Sequence, residues 1–313
     1  MANATRRRPC EVAVLGGAQT VIVPESPRSI LEIALEVVEG ALDEADVRWD
    51  DVDAIVTASA DLFDGLTASS IAVTEVAGAV MKAETRIAAD GLAAAIQAVQ
   101  QITAGAYDTV LVVAHGKASM APHWELTAWT LDPILLQPLG VDALTIAGLQ
   151  ANLNAGTDRL KEHAPLGDGA CAVVLGSSVP NGSIVVTGTG HDLDAHYPGE
   201  RDLKAWPGLQ RAVDRAYKQA GVRDPATAFA LAEPSCMFPH EEDLFVEATG
   251  IGRGTPLSPS GGLMEGTAPL VSGLTRFLAA ARAIEGQVGH KALAHGTWGP
   301  AGQGHAVAIL EAR

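Results

Sequence analysis

Short apolar runs rich in β-branched residues alternate along this chain with longer stretches whose apolar residues recur at helical spacing. The first run is Glu11-Val12-Ala13-Val14-Leu15, ended by Gly16-Gly17. A helix follows, with Ser26 in the N-cap position and Pro27 at the first helical residue, where a missing amide donor costs nothing. Its residues Ile30, Ile33, Ala34, Val37, Val38 and Ala41 share one face. Asp53-Ala54-Ile55-Val56-Thr57 predicts the next strand, residues 68–82 a small-residue helix and residues 91–104 a further one. Val110-Leu111-Val112-Val113 is apolar throughout, as expected of a strand covered on both faces.

The order then repeats. Ser183-Ile184-Val185-Val186-Thr187 reads as a strand, Leu209 to Ala220 as a helix, Ala228-Phe229-Ala230-Leu231-Ala232 as a strand and Glu241 to Thr249 as a helix. A Gly-rich loop leads into a helix at 269–285, and strands at 291–295 and 305–311 close the pattern. The halves end alike, Val112-Val113-Ala114-His115-Gly116 against Ala292-Leu293-Ala294-His295-Gly296. This alternation predicts an α/β protein built from two duplicated halves, residues 1–178 and 183–313, with a turn-rich seam at Ser177 to Gly182. An insert at about 117–165 has weaker periodicity.

With 48% hydrophobic and 19% charged residues among 313, the chain is expected to fold around a sizeable core. A formal net charge of −16 opposes non-specific binding to nucleic acid or anionic membranes. No apolar run is long enough to cross a bilayer, and Arg6-Arg7-Arg8 lacks the apolar stretch of a signal peptide. Cys10, Cys171 and Cys236 lie far apart without metal-ligand spacing. A reducing cytoplasm and no bound metal are the expectations.

The turn Ile87-Ala88-Ala89-Asp90-Gly91, set between a strand and an apolar helix, resembles the nucleophile turn of the thiolase superfamily. Gly167-Asp168-Gly169-Ala170 before an apolar run, Ala232-Glu233 before a Phe-containing turn, and Ser258-Pro259-Ser260-Gly261-Gly262-Leu263 match further landmarks, so the likeness spans nearly the whole chain. It is nearest the lipid-transfer-protein (SCP) type. It implies a thiolase-like five-layered αβαβα fold, two βαβ-rich halves around paired central helices. In active relatives the loop region comparable to 117–165 is longer and helps hold coenzyme A.

Thiolase chemistry needs a thiolate at a helix N-terminus, a base beside it, a second acid/base group and an oxyanion hole. Each implied position departs from the family. The family's Cys-Ala-Ser-Gly turn has Ala88 at the nucleophile and Asp90 at the serine, where Asp90 is either the cap of the helix starting at Gly91 or a base in an altered reaction. The family's His-Asp-x-Phe appears as Ser235-Cys236-Met237-Phe238, which keeps the phenylalanine; Cys236 reads as a buried structural thiol. Beyond Gly261-Gly262 the Gly-His-Pro base is replaced by Gly266-Thr267-Ala268-Pro269, with Thr267 or Ala268 at the histidine. Glu265 reads as a solvated loop carboxylate. The second cysteine falls on His295 or Trp298, depending on where a gap lies, and His295 is the remaining acid/base candidate. The pocket is expected to be lined by Ala88, Asp90, Gly91, Ser235, Cys236, Phe238, Gly261, Gly262, Thr267, His295 and Trp298. In the insert, His123-Trp124-Glu125 and Trp129 concentrate aromatics in a chain only 4% aromatic, either as an interface or as a flap on its own core.

The resemblance with all four catalytic positions lost implies a noncatalytic subunit in a hetero-oligomeric acyl-CoA carbon–carbon bond cleaving or forming complex. Its expected partners are a catalytic thiolase-like chain, across a dimer face, and a zinc-ribbon/OB-fold protein, with a coenzyme A thioester bound only in the complex. Two alternatives stand beside it: a thiolase-fold retro-aldolase on CoA esters such as those of steroid side chains, with Asp90 and His295 as its acid/base groups, and a ligand-binding or scaffold protein.

Overall fold

A computed structural model of the chain describes residues 11–65, 71–154 and 163–313. Its first half runs β1 (Val12–Gln19), α1 (Ile30–Ala45), β2 (Ala54–Ala58), α2 (Ile71–Val76), β3 (Ala83–Ile87), α3 (Gly91–Thr103), β4 (Thr109–Lys117), α4 (His123–Trp129), α5 (Ala143–Asn154) and β5 (Asp168–Gly176). The second runs β6 (Ile184–Leu193), α6 (Pro207–Ala220), α7 (Pro225–Ala228), β7 (Leu231–Glu233), α8 (His240–Thr249), α9 (Ser272–Ala283), β8 (Lys291–Trp298) and β9 (Gly304–Ala312).

The strands join in the order β3-β2-β4-β5-β1-β6-β9-β8-β7, so that β2-β4-β5-β1 is answered by β7-β8-β9-β6. The halves meet where β1 pairs antiparallel with β6, Val12 to Val14 against Val186 to Ile184. β3, parallel to β2, has only a remnant in the second half, the single parallel bridge from Ala232 to Leu257.

Strand alternation divides the side chains into layers. On β4, Val112 faces inward onto α3 and α9, whereas Leu111 and Val113 face outward onto α1. Leu92, Ile96 and Val99 of α3 and Leu274, Phe277 and Leu278 of α9 pack between Val56 and Val173 of the first half and Ala294, Ala308 and Leu310 of the second. Outside the second half, Leu209 and Val213 of α6 and Phe245 of α8 cover Leu293, Val307 and Ile309. The result is the α-β-α-β-α layering that the resemblance implies. The paired central helices approach closely because their contact positions are small. A Cβ on Gly91 would stand 2.8 Å from both Ala114 Cβ and Leu274 Cβ.

Buried ion pairs tie loops to this frame. Asp168 accepts Lys117 Nζ at 2.8 Å and the Ser119 amide at 2.9 Å, fixing the start of the insert to β5. Glu233 accepts Arg276 at 3.0 Å and the Ser260 hydroxyl at 2.8 Å, which joins β7, α9 and the loop between them.

Several boundaries differ from the sequence expectation. The cap of α1 is Ser29, not Ser26: its hydroxyl accepts the Glu32 amide at 3.2 Å while the Glu32 carboxylate accepts the Ser29 amide at 2.8 Å. Ser26 donates its amide to Asp168 Oδ2 at 2.8 Å, which holds the chain against β5 before the helix begins. The strand expected from Ala228 starts at Leu231, because Pro225–Ala228 forms a helical turn whose Asp224 side chain accepts the Ala226 amide. Of the helix expected at 68–82 only Ile71–Val76 is helical, as α2, with turns over 77–82, and its first expected residues lie outside the described ones, as does Cys10.

Candidate functional site

The turn from β3 into α3 opens onto a cavity of about 370 Å³. Ala88 lines it, together with Leu62 and Phe63 from the loop after β2, Phe238 before α8, Thr267 to Leu270 before α9, and Trp298 to Gln303 between β8 and β9. The insert closes one side: His123, Trp124 and Thr127 of α4 and Ala143 of α5 complete the wall. Its end is pinned by backbone hydrogen bonds, from the Ala164 amide to Met237 O at 2.8 Å and from the Thr267 amide to Pro165 O at 2.9 Å.

Asp90 lies just beyond this wall and is wholly buried. It caps α3, with Oδ1 accepting the Leu92 amide at 2.9 Å, while Oδ2 accepts the Gly273 amide at 2.9 Å and the Ser272 hydroxyl at 3.0 Å. One carboxyl thus fastens the N-termini of both central helices. Desolvation outweighs these hydrogen bonds and raises its pKa to about 6. The Gly91 amide is also occupied, donating to Leu270 O at 2.7 Å. The first amides of α3 are therefore spent within the protein and are not free to receive a substrate oxyanion.

Ser235, at the family histidine, is buried off the wall and donates to Ser272 Oγ at 2.9 Å, extending the Asp90 network. Cys236 also lies off the wall, against the core between α6 and α8, and burial pushes its thiol well up. Phe238 and Thr267 line the cavity as expected, and Ala268 does so beside Thr267. Gly261 and Gly262 do not: their positive φ values of 97° and 65° make a turn against Ser258 and Glu265, and the chain reaches the cavity only at Thr267. Glu265 is exposed. Gly91 is buried between the central helices.

His295 is excluded from the cavity by strand alternation. Ala292 and Ala294 face the central helices, so His295 turns with Leu293 toward the outer layer. There its ring lies 5.3 Å from Phe245 and 5.9 Å from Trp206, with Nε2 3.1 Å from His305 Nδ1. Burial, aided by His305, holds its pKa well below the usual imidazole value. Thr297 and Trp298, at the end of β8, are the residues of that strand that line the cavity.

Three titratable side chains stand on the wall: His123, which the sequence offered only as part of an aromatic cluster, and His196 and Glu241, which sequence reasoning did not select. His123 and Trp124 turn inward as a flap, whereas Trp129 is 69% exposed. Burial lowers His123 to about 4, so its ring is neutral near pH 7. Glu241, in the first turn of α8, is buried, and its Oε2 accepts the Met237 and Phe238 amides at 2.7 and 3.2 Å. Burial raises this carboxyl to about 7 against those hydrogen bonds. Its sequence signal was only acidic clustering in a helix's first turn, which does not reveal burial. Among the described residues, no group of three His, Cys, Asp or Glu is arranged to hold a metal ion, and no helix is long and apolar enough to cross a membrane.

No family model and no curated protein matches this chain. Solved structures do. An "Ltp2-ChsH2(DUF35) aldolase" superposes with a TM-score of 0.69 at 19% identity, covering 97% of this chain and 98% of that one. A monomeric SCP2-thiolase like protein type 1 from Mycobacterium smegmatis gives a TM-score of 0.69 at 18% identity, covering 97% of this chain and 78% of that one. Similarity at this level of identity is a similarity of fold: the chain has a thiolase-like α/β fold over essentially its whole length.

Proposed function

We propose that this chain is a thiolase-fold subunit of a hetero-oligomeric, cytoplasmic complex that makes or breaks carbon–carbon bonds in acyl-CoA thioesters, and that it transfers no acyl group by itself. The observation that carries the proposal is Ala88, a methyl group where the cavity wall meets the start of α3. Around it Ser235, Thr267 and Trp298 supply no base, and Asp90 is committed to the two central helices. A catalytic thiolase-like partner would supply the missing thiolate. β3 is the edge strand beside the Ala88 turn, with Ala83 and Glu84 exposed, and an unpaired edge next to the site suits the dimer face of the resemblance. The name of the first structural neighbour joins two components, Ltp2 and ChsH2(DUF35), which supports a partner chain for this one; the zinc-ribbon/OB-fold protein and a CoA thioester held by the assembly remain part of the proposal.

Co-expression of the tagged chain with the products of its neighbouring genes, followed by sizing and intact mass, tests this reading. Stoichiometric recovery of a cysteine-bearing thiolase-like chain is the expected result. Cleavage of acetoacetyl-CoA or a longer 3-ketoacyl-CoA by the purified chain alone would refute it.

A second reading, a retro-aldolase, is favoured by the titratable groups that the cavity retains and by the neighbour named as an aldolase. A retro-aldol step removes a proton from a 3-hydroxyl, cleaves C2–C3 to a carbonyl product and a thioester enolate, and protonates that enolate. Asp90 and His295 lie off the wall, so Glu241 and His123 are the groups this reading would use. Release of an aldehyde or ketone from a 3-hydroxyacyl-CoA by the chain or its complex, lost in Glu241→Gln, distinguishes it.

A further inference from the structure

The cavity beside Ala88 keeps the shape and chemistry of a binding site although its nucleophile is gone. Its volume of about 370 Å³ falls within the range of about 300–1,000 Å³ usual for small-molecule sites. The walls carry aromatic faces from several elements: Phe63 and His123 lie 4.7 Å apart, and Trp124, Phe238 and Trp298 stand around them. The neutral His123 ring adds no charge to this wall. An apolar, flat compound meets dispersion partners on several sides, whereas an anion finds the amides at the start of α3 already taken and the Glu241 carboxyl on the wall.

Among the polar groups of the lining, which include His123, Thr127, His196, Thr267 and Gln303, Glu241 is the acid. Glu241 is 3% exposed, yet only its Oε2 is used, by the Met237 and Phe238 amides. Oε1 makes no hydrogen bond among the described residues, on a side chain that forms part of the cavity wall. Oε1 is not sealed off by the protein, so a ligand hydroxyl that pairs with it takes the place of water in the cavity. A carboxyl accepts a hydrogen bond from a hydroxyl in either protonation state, whereas it donates to a carbonyl only when protonated.

We propose that the cavity binds an uncharged, mainly apolar ring compound bearing a hydroxyl, and that Glu241 Oε1 orients it by accepting that hydroxyl's hydrogen bond. The apolar body lies among Phe63, Trp124, Phe238 and Trp298, with Ala88 leaving room where a larger side chain would intrude. The assignment goes beyond the subunit reading. It concerns the chain alone, so a missing catalytic partner would overturn that reading and leave this one standing.

The test is direct binding to the purified full chain, by calorimetry and saturation-transfer NMR, with 2-(naphthalen-2-yl)ethanol and its hydroxyl-free analogue 2-ethylnaphthalene as probes. The alcohol is expected to bind about five-fold more tightly, the net worth of about 1 kcal/mol for one hydrogen bond. Glu241→Leu is expected to abolish that ratio while leaving the hydrocarbon bound. Ala88→Phe is expected to block both probes with the circular dichroism spectrum unchanged. Equal affinity of the two probes for the wild-type chain would overturn the role of Glu241, and this comparison needs no variant to fold. Absence of binding by either probe up to millimolar concentration would overturn the site itself.

Discussion

Asp90 sits at the junction of two helix N-termini, and this placement makes a pH-dependent stability that can be calculated. Its pKa rises from an ordinary 3.8 to about 6 in the folded chain. Between those values the folded state holds a proton that the unfolded state has lost. The stabilisation is therefore complete below about pH 4 and is lost as pH rises through about 6. At about 1.36 kcal/mol per pH unit the full effect is about 3 kcal/mol, of which about 1 kcal/mol falls between pH 5 and pH 8. Asp90→Asn removes the titration but keeps a capping side chain. Its amide oxygen accepts from either Leu92 or Gly273, and its NH₂ then faces the other donor, so the variant is less stable than wild type by about 1–3 kcal/mol at low pH. The gap between the two chains is expected to narrow by about 1 kcal/mol from pH 5 to pH 8 in guanidinium denaturation, because every other titrating group is common to both. A gap that stays constant, or widens with pH, would refute the reasoning. It would mean that the amides of α3 and α9 stabilise the anion more than burial penalises it.

Three further outcomes follow from the packing and the site. Arg276→Met leaves the fully buried Glu233 carboxylate without its cation and is expected to cost about 3–5 kcal/mol, with much of it recovered in Glu233→Met/Arg276→Met, both read by chemical denaturation. Gly190→Ala places a Cβ 1.8 Å from the Ala212 carbonyl oxygen, so α6 must move off β6; a loss of about 1–3 kcal/mol or more in the same assay is expected, and an unchanged midpoint would contradict the packing. Ala88→Cys, in a Cys10→Ser/Cys236→Ser background, is expected to add one rapidly alkylated thiol by mass spectrometry, because the remaining Cys171 is fully buried and burial raises its thiol. The same variant is expected to remain unable to cleave acetoacetyl-CoA, since no base stands beside the new thiol; turnover would show that the cavity retains a working base.

The fold was legible because each strand and helix of the core carries its own periodicity. The two-sided burial of Val110 to Val113 and the single apolar face of α1 are local properties of the sequence. Asp90 was likewise readable as a cap, since an Asp before an apolar helix has a local reason to be there. Its second attachment, to Gly273 and Ser272, joins residues far apart in the chain and has no local signature. Ser26 and Ser29 show the same limit at short range. Both fit a cap by residue type, and the choice was made by the tertiary bond from Ser26 to Asp168 together with the capping box at Glu32. The site divides along the same line. His295 and Trp298 were equivalent while only a gap position separated them, yet they lie three residues apart on one strand. Only the observed register shows which face each takes, and it places His295 among Trp206, Phe245 and His305. Glu241 is the converse. In a first turn with Glu242 and Asp243 it reads as one of three solvated acids favouring a helix N-terminus. What distinguishes it is the loop Met237-Phe238 folding back to donate two amides to one oxygen, which buries the carboxyl and leaves the other oxygen on the cavity wall. A vacated nucleophile is thus visible in sequence as a substitution, whereas a buried acid on the cavity wall is visible only once the loops that bury it are in place.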